Sequence, residues 1–279
     1  MQYSQLNSNK KSPKMENHPI YAKEDLEPYS YETDVITTEI NSDIDYDSLI
    51  TEDDTPVDNF YCEKQLRLLP ESLKSSWERK EPYIVVADVG IYEDPPDTVI
   101  VPDVFLSLDV QYAEDIWKKK HRCYMIGIFG KPPELVIEVV SNKTGEEDTT
   151  KLFRYEKIGV KYYVIFDPCF HILTSSKIKV YKLINGKYKL HSEDIEECIW
   201  LNELNVGMKV QQGIFEEMEA DWLRWCDRKG NTLLTGYERA IEVEQRAKKY
   251  EQQMKSEKER ANALELELAK LKAKMAIID

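Results

Sequence analysis

The stretch Pro132-Pro133-Glu134-Leu135-Val136-Ile137-Glu138-Val139-Val140 constrains this chain more than any other. A short apolar run rich in β-branched residues, opened by a double proline, predicts a buried strand. Glu138 sits near its end. A carboxylate inside such a strand is costly unless something pairs with it or a metal sits on it. A second lone acid, Asp103, interrupts another apolar run, Val99-Ile100-Val101-Pro102-Asp103-Val104-Phe105-Leu106. Residues along a strand alternate faces, so Glu134, Val136, Glu138 and Val140 share one face and Leu135, Ile137 and Val139 the other. Asp103 shares its face with Val101 and Phe105. If the two strands are antiparallel neighbours, Asp103 and Glu138 meet at one end of a sheet. Two carboxylates at close range repel unless a cation or a proton intervenes. Magnesium suits such an oxygen-lined, partly hydrated site.

A helix over 147–158 follows, opened by the capping pattern Thr144-Gly145-Glu146-Glu147 and stopped at Gly159. Steps of three and four put Asp148, Lys151 and Tyr155 on one side of it. From there the Lys151 ammonium reaches over the strand end, where it positions a water or stabilises charge on a phosphate oxygen. Tyr155 either holds the phosphate or packs. Two acids in buried strands and a lysine on the next helix are the parts of a metal-dependent phosphodiesterase site.

Charge bears on whether a nucleic acid is a plausible partner. The net charge is −14, which at first sight opposes it. Residues 1–58, however, hold fourteen of the 52 acids and only four of the 38 lysines and arginines. The remainder is close to neutral, and neither demands a polyanion nor excludes one. Its clearest basic run is Trp117-Lys118-Lys119-Lys120-His121-Arg122, either a phosphate contact or a solvated loop. The five cysteines form no C-x-x-C pair and the four histidines show no ligand spacing. That pattern argues against a zinc ribbon or a disulfide framework and fits a reducing cytoplasm. No apolar run is long enough for a membrane span, and the polar start has no secretory apolar region.

Along the chain, residues 1–56 read as an acidic, disordered arm, or as a nucleic-acid mimic lying over a basic groove. Phe60 to Trp77 predicts a helix with Phe60, Leu66, Leu69 and Leu73 on one face, kinked or ended by Pro70. Glu63 in its first turn serves the helix dipole or acts as a third acid at the metal site. Strands are expected at 83–90, 99–108, 134–140 and 161–168, and a hairpin over 177–190 about Asn185-Gly186. Short apolar segments over 199–210 close the globular part. From Ile214 onward the pattern reads as helical. Ala240, Val243, Ala247, Tyr250, Met254, Ala261, Leu264, Leu268, Leu271, Met275 and Ile278 follow alternating three- and four-residue steps, broken only at Glu257. This seam predicts a coiled coil, and with it self-association or a helical partner.

Four segments, taken together, carry a family resemblance. They are Pro102-Asp103-Val104; Pro133-Glu134-Leu135-Val136-Ile137-Glu138-Val139-Val140-Ser141; Asp148-x-x-Lys151-x-x-x-Tyr155; and Gly159-Val160-x-Tyr162-Tyr163-Val164-Ile165-Phe166-Asp167-Pro168. Over about residues 57–210 the chain resembles the Uma-two-type restriction endonucleases of the PD-(D/E)XK nuclease superfamily. The resemblance implies a mixed central sheet flanked by helices. It also implies Mg²⁺-dependent hydrolysis of DNA phosphodiesters, with Mn²⁺ as a substitute. Asp103 and Glu138 would ligate the metal, and Glu63 would be the first-helix acid that some members use. The superfamily places its lysine two residues after the acid, and here that position is Val140. The resemblance moves the lysine to Lys151, with Lys143 in the preceding turn as the competing amine. The expected architecture is α/β: an arm over 1–56, a nuclease-like domain over 57–213, and a helical region ending in a coiled coil over 214–279. The expected protein is a cytoplasmic endonuclease that binds DNA and no membrane. The alternative is a degenerate nuclease fold that serves as a coiled-coil scaffold.

Overall fold

The computed structural model describes residue 45 and residues 59–93, 99–142, 146–192 and 198–275. The acidic arm over 1–56 therefore lies outside the described residues apart from Asp45. Lys143, residues 94–98, Thr144, Gly145 and Ile278 lie outside them too.

Helix α1 (Phe60–Ser76) leads into strand β1 (Tyr83–Ala87) and the two-residue β2 (Ile91–Tyr92). Strand β3 (Val104–Leu108) follows, then β4 (Tyr124–Met125) and the one-turn helix α2 (Ile126–Phe129). Next come β5 (Leu135–Val139), helix α3 (Thr150–Ile158) and β6 (Tyr162–Phe166). The hairpin β7 (Ile178–Ile184) and β8 (Lys187–Ser192) precedes β9 (Ile199–Leu201). The chain closes with β10 (Val206–Phe215), β11 (Met218–Cys226) and helix α4 (Gly236–Met275).

Six strands form a mixed sheet in the order β1-β3-β5-β6-β7-β8. The β5/β6 pairing is parallel and its other pairings are antiparallel. A parallel pair needs a crossover, and α3 supplies it. Strands β3, β5 and β6 are buried at every position, as expected where both faces of a sheet are covered. On one face Val104, Leu106, Ile137, Val164 and Val180 meet Leu69 and Leu73 of α1 and the second sheet, β11-β10-β9. On the other face Phe105, Val136, Val140 and Ile165 meet Tyr155 of α3. The sheet is thus the middle layer, and the alternation along β5 decides which side chain goes to which layer.

Several elements differ from the sequence reading. Helix α1 runs through Pro70 to Ser76 without ending there. Gln65, Leu68, Leu69 and Leu73 are buried on it, whereas Phe60 is 84% exposed. Helix α3 starts only at Thr150, after turn residues 147–149. From Ile214 the helical reading holds only over Gly236–Met275; residues 214–226 are not helical. They belong to the long hairpin of β10 and β11, which pair from Gly207↔Cys226 to Phe215↔Met218. Cys198 and Cys226 form a disulfide, which the reading of the scattered cysteines as arguing against a disulfide framework did not anticipate. The bridge lies over Gly207 of the central strand β10, where any Cβ would collide with both sulfurs. Asn185 and Gly186 both take positive φ in the β7–β8 turn, as the sequence predicts.

Candidate active site

Strands β3 and β5 pair as Val104↔Ile137, Phe105↔Val136 and Leu106↔Leu135. Carried one residue further, that register sets Asp103 opposite Glu138. The Asp103 carboxylate is pinned there, its Oδ2 accepting the Val139 N–H at 2.5 Å. Its backbone carbonyl accepts the Asp88 N–H at 3.1 Å. Asp103 therefore sits in the bend immediately before β3, tied to β5 through its carboxylate and to Asp88 through its carbonyl.

Glu138 shares its face with Val136 and Val140 and is 1% exposed. Its two oxygens are both used. Oε2 accepts from the Lys151 ammonium at 2.8 Å, and Oε1 accepts from the Tyr155 hydroxyl at 2.6 Å. Lys151 and Tyr155 are one turn apart on α3, so a single helix face delivers both donors. Burial pushes the Glu138 carboxyl up to about 8, the Asp103 charge adds to the rise, and Lys151 and Tyr155 oppose it. Burial works against the Lys151 ammonium, but the Glu138 charge and hydrogen bond, with the Glu147 and Asp103 charges, together outweigh it and hold its pKa above the ordinary value. Burial, and then the Glu138 charge, push the Tyr155 hydroxyl well up, so it remains a donor.

A third carboxylate stands at this site, and sequence reasoning passed over it. Glu147 is buried and its Oε1 lies 3.6 Å from the Lys151 ammonium. Its Oε2 is buried with no hydrogen-bond partner among the described residues. The Tyr163 hydroxyl donates to its backbone carbonyl at 2.7 Å and fixes the turn before α3. Asp148, expected on the Lys151 side, is exposed. The i,i+4 spacing from Glu147 to Lys151 was the available signal; it was hidden inside the capping pattern.

The donor set fits a hard cation. Two facing carboxylates supply oxygen ligands, and a lysine now supplies the positive charge that their repulsion calls for. Among the described residues, no three His, Cys, Asp or Glu side chains come together in a way that could hold a metal ion. The remaining coordination positions would fall to water and substrate oxygens, which is the habit of magnesium.

A family model, Uma2, described as a putative restriction endonuclease, matches residues 55–204, more than half of the chain. This chain belongs to the Uma2 family. Among solved structures it is similar to a crystal structure of a putative nuclease from Anabaena variabilis. That match has 12% identity and a TM-score of 0.36, and covers 55% of this chain and 76% of the other. No curated protein matches.

Within this Uma2 member the structure brings Asp103, Glu138, Lys151 and Tyr155 together. It does not bring Glu63 to them. Glu63 lies on α1, whose buried side packs on the opposite face of the sheet from Glu138. Its carboxylate pairs with Arg67 at 2.9 Å, one turn along the same helix. That pairing holds the carboxyl below its ordinary range. Arg67 in turn grips Glu216 in the β10–β11 turn. Asp167 is buried and satisfied by the backbone, accepting from His171, Ile172 and Leu173. The basic run is described: Lys119–His121 form one turn of 3₁₀ helix, and Trp117 is 77% exposed. No helix among the described residues is long and apolar enough to cross a membrane.

Proposed function

We propose that this Uma2 member is a metal-dependent endonuclease that hydrolyses DNA phosphodiester bonds. The observation that carries the reading is the facing pair Asp103 and Glu138 with the Lys151 ammonium 2.8 Å from Glu138 Oε2. A fully buried acid beside a second acid is destabilising on its own, so it calls for a function. Asp103 and Glu138 would hold Mg²⁺, or Mn²⁺ in its place. Bound there, the ion supplies Lewis acidity at a phosphate oxygen.

The remaining work falls to side chains on α3. The Lys151 ammonium stands at the strand end on Glu138 Oε2, 31% exposed, close enough to solvent to meet a phosphate oxygen or orient a water. Tyr155 stays on Glu138 Oε1 and fixes the carboxylate's rotamer. Lys118, Lys119 and Lys120, beside exposed Trp117, supply a sequence-independent backbone contact.

The second reading is a scaffold built on a degenerate nuclease fold. The observation on its side is that Val140 occupies the superfamily's lysine position, while Lys151 is already spent on Glu138. Plasmid nicking by wild type, Asp103→Ala and Lys151→Ala separates the two, with Mg²⁺, with Mn²⁺ and with chelator. The nuclease reading expects cleavage by wild type alone, abolished by chelator. Cleavage by Lys151→Ala but not Asp103→Ala would keep the metal and transfer the amine's role to Lys143. No cleavage by wild type with either ion would favour the scaffold.

A further inference from the structure

Helix α4 is rooted in the body only at its start. Thr235 and Glu238 form a reciprocal cap: the Glu238 N–H donates to Thr235 Oγ1 and the Thr235 N–H donates to Glu238 Oε2. Arg224, buried at the end of β11, clamps Glu238 through both terminal nitrogens. Arg239 donates to the Ser75 carbonyl of α1. Beyond that root every described residue from Ile241 to Lys270 is exposed, Val243, Tyr250, Met254, Leu264 and Leu268 included. Apolar residues repeating at three and four along a solitary forty-residue helix are a seam without its partner.

The flanking charges say what that partner is. The three-then-four step fixes Ala240, Ala247, Met254, Ala261 and Leu268 as one core position of the heptad, with Val243, Tyr250, Glu257 and Leu264 as the other. In a parallel, in-register pair of such helices, each residue just before the first core position faces the residue five further along on the partner. The pairs are Arg239 with Glu244, Arg246 with Glu251, Gln253 with Lys258, Arg260 with Glu265, and Glu267 with Lys272. Four are opposite in charge and none is alike. Such pairs set partner choice and orientation in coiled coils. Glu257, the one charged seam position, meets its own copy across the seam, with the partner's Lys258 beside it. A polar core position of this kind fixes register at a cost in stability.

We infer that α4 docks a second copy of this chain as a parallel, in-register two-stranded coiled coil. The inference stands apart from the nuclease reading, since it uses no residue of the candidate site. It is tested on the full chain by sedimentation equilibrium. The expected result is a two-chain species. Arg246→Glu creates two like-charged contacts per dimer and weakens association by about tenfold, and adding Glu251→Arg restores it. Glu257→Leu tightens association by about tenfold or more. Leu264→Cys, in a Cys169→Ser background, cross-links to its own copy under mild oxidation. A chain that stays monomeric at every concentration overturns the inference. So does a dimer that ignores Arg246→Glu or fails to cross-link through Leu264→Cys, because either result means another surface or an antiparallel seam.

Discussion

Glu138 lies between two donors that favour its charge, Lys151 and Tyr155, and one acid that opposes it, Asp103. Burial and Asp103 win, so the folded carboxyl titrates near 8 against an ordinary 4.5. The folded state thus holds this proton more tightly than the unfolded chain. The resulting stabilisation is complete below pH 4.5 and is lost as pH rises through about 8. In metal-free protein the melting temperature of wild type should fall across that window more steeply than that of Glu138→Gln. Each tenfold change in proton affinity between the two states is worth about 1.4 kcal/mol, so the loss across the window amounts to roughly several kcal/mol. Parallel slopes in the two proteins would show that Glu138 does not titrate there. Mg²⁺ should raise the wild-type melting temperature, most of all at the alkaline end, and leave Asp103→Ala unchanged. The cluster Asp103, Glu138, Lys151 and Tyr155 was readable from two periods, two along strands and three to four along a helix. Glu147 was not, because an acid just before a helix looks the same whether it caps the helix or faces a buried lysine. The sequence left Glu63 open between the helix dipole and the site, because a first-turn acid does not reveal which face of the sheet its helix will cover.

Among the elements, the β10–β11 hairpin was the hardest to read, and its turn explains why. Phe215, Met218, Trp222 and Trp225 fall at three- and four-residue steps, so the segment imitates a helical stripe. The turn residues are Glu216 and Glu217, both at positive φ, where asparagine and glycine are the usual signal. The β7–β8 hairpin carries that signal in Asn185-Gly186 and was read correctly. Left-handed backbone costs a non-glycine residue about 1 kcal/mol. The fold offsets part of this at Glu216 by pairing it with Lys64 and Arg67 of α1, which ties the turn to the helix. Glu217 has no such pairing among the described ion pairs. Glu217→Gly should therefore stabilise the protein by roughly 0.5–1 kcal/mol in chemical denaturation, relieved φ strain outweighing the added chain entropy. Glu216→Gly removes the pairing along with the strain and should give no gain. Equal gains from both variants would mean that the Lys64 and Arg67 pairs contribute nothing.

The three-layer body and the solitary helix are two mechanical parts of one chain, joined at Thr235 and Glu238. Every described residue from Ala247 to Lys270 is exposed, so the body draws no burial from that stretch. Ending the chain before Ala247 should leave the denaturation midpoint of the body unchanged, while removing most of the helical signal that α4 contributes. The same truncation tests how the two proposals combine. A parallel seam carries both bodies at one end of the coil and holds one site at high effective concentration once the other has engaged DNA. On the proposed nuclease function, a body alone would cut one strand per encounter. The full chain should therefore convert supercoiled plasmid to linear product with little nicked intermediate, and the truncated chain should accumulate nicked circles. Arg246→Glu should need about tenfold more protein to give the linear product, and adding Glu251→Arg should remove that need. A truncated chain that linearises plasmid as readily as the full chain would show that the two bodies act independently. In that case α4 serves to assemble the chains, and the chemistry at Asp103 and Glu138 is complete within one copy.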